Sequence, residues 1–137
     1  MKTSFTLILF FAISFSYSQT TKCKLEYDDE VNKEVYVNLD VYPAVLDENF
    51  TETEFITKNF ITPKKNYNEK QRVKFAWTVE ANGSCTFMKL ILPAGDKELE
   101  AEAKRIVSLL PIYTPAKCNG QLVPCKVDFE FLLGTKK

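Results

Sequence analysis

The clearest pattern in the chain is a period of two residues over positions 72–92, where large apolar residues alternate with polar or small ones. This period predicts β-strands that each bury one face. Asn82-Gly83 interrupts the pattern and suits a type I′ turn, in which both central residues have positive φ. The segment therefore predicts a β-hairpin with large apolar residues on one face and Lys74, Glu80 and Lys89 on the other. The expected register pairs Val73 with Leu92, Phe75 with Leu90, Trp77 with Met88 and Val79 with Thr86.

A short helix is predicted over residues 52–60 by the signals at its start. Thr51 can cap the helix, and the Glu54 side chain is placed to accept a hydrogen bond from the Thr51 amide. Phe50 and Phe55 occupy the two positions of a hydrophobic staple, which fixes the direction in which the chain enters the helix.

A second, amphipathic helix is predicted over residues 97–110, with Asp96 as its cap. Three glutamates, Glu98, Glu100 and Glu102, are expected on its exposed side. Its apolar positions recur at helical spacing and are expected to cover the hairpin. They are Leu99, Ala103, Ile106, Val107 and Leu110.

Two further strands are predicted by alternation, one over residues 34–41 and one over residues 122–133, after an Asn119-Gly120 turn. Residues 19–33 are polar and are expected to be loosely held. The order strand, helix, strand, strand, helix, strand predicts an α+β two-layer sandwich. We expect an antiparallel sheet of three to four strands with two helices on one face.

The first 18 residues have the charged start, short apolar centre and small-residue end of a secretory signal peptide. Their apolar run is shorter than the roughly 20 residues that span a bilayer. We therefore expect residues 1–18 to be cleaved, residues 19–37 to form an N-terminal segment with the start of a short strand, and residues 38–137 to form the domain. Export to the periplasm follows from this interpretation, and a retained membrane anchor is the alternative.

Charge and composition argue against several functions. The chain has 18 basic and 18 acidic residues, a balance that gives no electrostatic field for nucleic acid. It has no histidine, so the usual Ser-His-Asp and Cys-His arrangements cannot form. We expect no catalytic residues, no cofactor and no small-molecule substrate. Zinc binding is not expected either, because the cysteine spacings are not C-x-x-C.

The four cysteines form an even set, which favours disulfides in an exported chain. Cys118 and Cys125 flank the Asn119-Gly120 turn and are expected to pair. Cys85 is expected on the hairpin face away from the large apolar residues, which leaves Cys23 as its partner. Four cysteines allow three connectivities, so the other two pairings remain open.

Several motifs occur along residues 38–133 in the order that a known family has them. The first helix is followed by Pro63, and the hairpin carries Asn82-Gly83. These pieces, with the second helix and a Pro-x-Tyr-x-Pro segment, resemble the C-terminal domain of TonB, the periplasmic domain of energy transducers for outer-membrane transport. The motif positions are Asn82, Gly83, Leu99, Glu102, Ala103, Arg105, Pro111, Tyr113 and Pro115.

The resemblance implies a protein-binding module that accepts an extended segment as an added strand at a sheet edge. The partner would be a TonB-dependent outer-membrane receptor or another envelope protein. Two alternatives remain: a disulfide-stapled structural envelope protein that dimerises through the same edge, and a transducer that retains its N-terminus as an anchor. The expected edge strand comprises Cys125, Lys126, Val127, Asp128, Phe129, Glu130 and Phe131.

Overall fold

A computed structural model describes residues 22–64, 67 and 70–133, so the expected signal peptide lies outside the described residues. Within these residues the fold is α+β, and no helix is long and apolar enough to cross a membrane. The elements are β1 (Lys24–Asp28), β2 (Lys33–Val37), β3 (Ala44–Val45), α1 (Glu52–Asn59), β4 (Arg72–Val79), β5 (Cys85–Leu92), α2 (Lys97–Ser108), β6 (Tyr113–Thr114), β7 (Ala116–Cys118), β8 (Gln121–Val123) and β9 (Cys125–Leu132).

The central sheet has three antiparallel strands in the order β5-β4-β9, which confirms the expected pairing of the strands from residue 72 onward. The expected last strand is not continuous. Pro124 has no N–H to donate and separates β8 from β9. The Asn119-Gly120 turn is confirmed, since both residues have positive φ and connect β7 to β8.

The core lies between one face of the central sheet, here called the inner face, and the two helices. Phe75 and Trp77 of β4 are fully buried against Ile56 of α1 and Leu99 of α2. The expected α+β two-layer arrangement is confirmed. Ala103, Ile106 and Val107 complete the buried side of α2.

The predicted starts of both helices are confirmed. Thr51 Oγ1 accepts a hydrogen bond from the Glu54 amide at 3.3 Å, and the rings of Phe50 and Phe55 lie 5.5 Å apart. The Glu54 carboxylate pairs with Lys58 one turn along the helix and does not accept from the Thr51 amide, although that bond had been expected. Asp96 Oδ1 accepts from two amides in the first turn of α2, at 3.1 and 3.0 Å.

The predicted type I′ turn between β4 and β5 is wrong. Only Gly83 of the two central residues has positive φ, at 86°. Glu80 N donates to Ser84 O at 2.8 Å, and Gly83 N donates to Glu80 O at 2.8 Å, so the loop is one residue longer than expected. Asn82 Oδ1 accepts from the Ser84 amide and hydroxyl, which favours this longer loop over one with positive φ at Asn82.

The longer loop changes the register of the hairpin. Of the four expected pairs only Phe75 with Leu90 forms, and Trp77 lies opposite Phe87 instead of Met88. One register shift, between Ala76 and Trp77, realigns β5 between these pairs, and a second follows between Lys74 and Phe75. The side chain of Cys85 consequently packs against the core. It had been expected on the opposite face of the hairpin.

From residue 22 onward, where the structure describes it, the N-terminal segment is not loosely held. Residues 24–37 form a second hairpin in which β1 pairs with β2 over five residue pairs, so the strand expected over 34–41 begins earlier and ends at Val37. Asn38 has positive φ and ends the strand. The following residues pair instead with the segment after α2: Asp40 and Val41 donate to Lys117 O, and β3 pairs with β6.

The β1–β2 hairpin is attached to the face of the central sheet opposite the helices, here called the outer face. Lys126 Nζ lies 2.6 Å from Asp28 Oδ2 and 3.3 Å from Glu30 Oε2. Lys74 Nζ lies 2.7 Å from Glu30 Oε1, and Lys89 Nζ donates to Glu30 O at 2.8 Å. The predicted polar face of the β4–β5 hairpin therefore binds the acidic turn of the N-terminal hairpin.

Acid should weaken this attachment. The hydrogen bond from Lys126 lowers the pKa of Asp28 below 3.8, and that from Lys74 lowers the pKa of Glu30 below 4.5. Because these folded-state pKa values are depressed, the stabilisation is present above the unfolded values and is lost as pH falls through the folded values. We expect the urea midpoint to fall between pH 6 and pH 3, and to fall less in Lys126→Met. Lys24→Met, which removes only an exposed pair with Glu26, is the control and should keep the wild-type pH dependence.

The disulfide pairing differs from the prediction. Cys23 is bonded to Cys118, and Cys85 and Cys125 are free thiols. The expected pairing of Cys85 with Cys23 depended on Cys85 lying on the outer face, and the longer loop places it on the inner one. Cys125 lies in the same buried cluster as the disulfide but at the start of β9, beyond Pro124.

Candidate partner-binding edge

Strand β9 forms one edge of the central sheet. It pairs with β4 from Arg72 opposite Leu132 to Val79 opposite Cys125, with no register shift. Within the described part of the chain, no strand pairs with its other side. A long and regular edge of this kind exposes backbone donors and acceptors to a further strand.

The register shows which backbone groups point outward. Leu133 N donates to Gln71 O at 2.8 Å, so alternate residues from this position bond to β4, among them Phe131 and Phe129. The N–H and C=O groups of the intervening residues point away from the sheet. These residues are Lys126, Asp128, Glu130 and Leu132.

The opposite edge, β5, is less suited to accept a strand. Its pairing with β4 shifts register twice, between Lys74 and Phe75 and between Ala76 and Trp77. Bulges of this kind bend and twist a strand, so its outer groups do not form an even row. Of the two edges of the central sheet, β9 therefore has the more even row of outward backbone groups.

The inner side of β9 carries a row of partly buried apolar side chains. The rings of Phe129 and Phe131 lie 5.7 Å apart, and Phe60, at the end of α1, lies 4.9 Å from Phe131 in an edge-to-face arrangement. Phe129 also lies 6.4 Å from the fully buried Phe75. Together with Val127, these rings extend the core to the free edge. Their side chains remain only partly buried there.

The outer side of β9 is charged. The Lys126 side chain is 12% exposed, whereas those of Asp128 and Glu130 are 42% and 36% exposed. Burial lowers the pKa of Lys126, but hydrogen bonds to Asp28 and Glu30 outweigh that effect, so its pKa is raised. Lys126 is therefore held as a cation by the N-terminal hairpin, and the two carboxylates form the accessible part of this row.

The free thiols are poor nucleophiles. Burial raises the pKa of Cys125 to about 11, and burial with the nearby Glu52 charge raises the pKa of Cys85 to about 11. Both thiols are protonated near neutral pH, where the thiolate is the reactive form. In the described residues no group of three or more cysteine, aspartate or glutamate side chains is arranged to hold a metal ion.

Several of the motif positions lie at the tip of the β4–β5 hairpin and not at the edge. Tyr113 N donates to Gly83 O at 2.9 Å, and the Tyr113 hydroxyl donates to Glu52 Oε1 at 3.1 Å. Burial, followed by the Glu52 charge, raises the pKa of Tyr113. Pro111 O lies 3.9 Å from Cys85 Sγ, and Pro115 separates β6 from β7.

The remaining motif positions belong to α2. Leu99 and Ala103 are fully buried in the core. Glu102 was expected on the exposed side of the helix, and this is wrong, since it is only 9% exposed. Its carboxylate accepts from Ile61 N at 2.6 Å and from Arg105 Nε at 2.9 Å, and Arg105 Nη2 donates to the Asn59 carbonyl. The Glu102–Arg105 pair therefore satisfies backbone groups where the chain leaves α1.

Sequence reasoning missed the N-terminal hairpin and its attachment beside β9. The local signal is the turn itself: Asp28 Oδ1 accepts from the Glu30 and Val31 amides, and Asn32 has positive φ. Acidic side chains and asparagine at these positions are typical of turns between strands.

No protein-family model, curated protein or solved structure matches the chain. The fold and the site define its class: an α+β two-layer protein with a disulfide-linked N-terminal hairpin and, among the residues that the structure describes, a regular sheet edge at β9 with no strand paired to it.

Proposed function

We propose that this chain is a non-enzymatic protein-binding module of the periplasm, which accepts an extended segment of an outer-membrane transport protein as a strand beside β9. The observation that carries this proposal is the regular outer edge of β9. The resemblance to the C-terminal domain of TonB supplies the class of partner and the compartment.

Strand addition at this edge would use the backbone groups of Asp128, Glu130 and Leu132, which point away from β4. Each interstrand hydrogen bond contributes on the order of 1 kcal/mol net. We expect several such bonds, together with further burial of Phe129 and Phe131, to give an affinity in the micromolar range. The alternative, a disulfide-stapled envelope protein that self-associates, uses the same edge.

The test is to select peptides of about ten residues, long enough to lie along β9, from an unrestricted display library. The binding of recovered peptides is then compared between two variants. Asp128→Pro removes an outward N–H without removing a hydrogen bond to β4, so the fold should persist. Asp128→Ala removes only the carboxylate and is the matched control.

We expect Asp128→Pro to weaken binding at least about tenfold and Asp128→Ala to weaken it much less. Circular dichroism and the urea midpoint check that both variants are folded. Recovery of no peptide, or binding that is unaffected by the proline, would contradict strand addition at β9.

A further inference from the structure

We infer that the segment accepted by β9 has large apolar side chains at every second position and basic side chains between them. This inference rests on the proposed function and specifies the chemistry of the partner. It follows from the difference between the two sides of the same strand.

The apolar half of the pattern comes from the inner side of β9. A strand added beside β9 lies about 4.8 Å away, and its side chains alternate between the two sides of the sheet. Those on the inner side meet Val127, Phe129 and Phe131, which are only partly buried, with Phe60 next to them. Large apolar side chains at these positions would complete the burial of the aromatic row.

The basic positions of the inferred pattern follow from the outer side of β9. There the added strand meets Asp128 and Glu130, whose carboxylates remain 42% and 36% exposed although they pair with Lys126 and Arg72. Lys126 is turned to Asp28 and Glu30 and is 12% exposed, so its charge is already compensated. Opposite charges directly across two strands stabilise their pairing, and like charges destabilise it.

The same charges argue against a second copy of the chain as the occupant. If two β9 strands paired about a twofold axis with Asp128 of one copy opposite Glu130 of the other, like charges would face each other. Lys126, 3.5 Å from Asp128 but closer to Asp28, and Arg72, which pairs with Glu130, reduce this repulsion but leave both acidic side chains exposed. A partner with basic side chains on the outer side fits the edge better than the chain itself does.

Three fluorescently labelled peptides test the pattern by anisotropy. The first alternates valine and lysine, the second has the same composition with its valines and lysines in separate blocks, and the third alternates valine and glutamate. We expect the first to bind tightest, the block isomer at least about tenfold more weakly because its side chains do not match the two faces, and the glutamate peptide about fivefold more weakly.

Variants separate this inference from the proposed function. Asp128→Lys should reduce or reverse the preference for the lysine peptide over the glutamate peptide, and Asp128→Pro should weaken every peptide. If the block isomer or the glutamate peptide binds as well as the first and the proline still weakens them, strand addition stands and the inferred pattern is wrong. If none of the three peptides binds while library-selected peptides bind and are weakened by Asp128→Pro, the inferred pattern alone is wrong. If Asp128→Pro has no effect on any bound peptide, both are wrong. A dimer in sedimentation velocity that Asp128→Pro dissociates would identify a second copy as the occupant and overturn the inference.

Discussion

Replacing Gly83 with alanine is expected to destabilise the fold by about 3 kcal/mol or more, whereas the same change at Gly120 is expected to cost about 1 kcal/mol. Both glycines have positive φ, 86° and 79°, so both substitutions strain the backbone. The difference lies in the surroundings. A Cβ added at Gly83 would lie 2.0 Å from the Tyr113 carbonyl oxygen, whereas one at Gly120 has no atom within 4 Å.

Urea unfolding followed by the fluorescence of Trp77, the single tryptophan, measures this difference. Gly120→Ala is the matched control, since it introduces the same side chain at a similar φ. Equal urea midpoints for the two variants would show that the hairpin tip does not pack against the backbone at Tyr113.

Loss of the Cys23–Cys118 disulfide is the other change with a large expected effect. The two cysteines are separated by 95 residues, and closing a loop of that size stabilises a fold by about 4.7 kcal/mol in the chain-entropy model. The bond also ties the N-terminal hairpin to the β7–β8 hairpin. We expect the double variant Cys23→Ala, Cys118→Ala to unfold at a markedly lower urea concentration.

The double variant Cys85→Ala, Cys125→Ala is the control, because these thiols are free. Reductant should lower the urea midpoint of the wild type and of this control, and should leave Cys23→Ala, Cys118→Ala unchanged. A reductant effect confined to the wild type would contradict the Cys23–Cys118 bond, because each disulfide of the pairing predicted from the sequence is lost in both double variants.

The parts of the fold that depend on local patterns could be predicted from the sequence. Thr51 and Asp96 cap their helices through amides within three residues, and the spacing of Leu99, Ala103 and Ile106 is a property of one helix. The buried side of β4 followed from simple alternation for the same reason. Such signals are local and do not depend on tertiary contacts.

The features that failed depend on longer-range geometry. One additional loop residue between Glu80 and Ser84 was enough to move Cys85 to the other face and change the disulfide prediction. Glu102 is polar and would ordinarily lie in solvent. Its burial depends on Ile61 and Asn59, residues some forty positions away that bring an amide and a carbonyl to the Glu102–Arg105 pair.

The candidate site was predictable only in outline. The last strand was expected as the edge through the resemblance, and the aromatic and acidic alternation of Phe129, Glu130 and Phe131 is visible in the sequence. Which amides point outward depends on the register between β9 and β4, and this register cannot be derived from the sequence. The engagement of Lys126 by the N-terminal hairpin depends on a contact across nearly a hundred residues.

Residue-resolved amide hydrogen exchange at low protein concentration tests the central claim, that β9 presents a free and regular edge. We expect the amides of Asp128, Glu130 and Leu132 to exchange fast and those of Val127, Phe129 and Phe131 to exchange slowly, with the fast set becoming protected when a peptide binds. Protection of Asp128, Glu130 and Leu132 in the isolated monomer would show that the edge is already occupied, and would contradict the proposal.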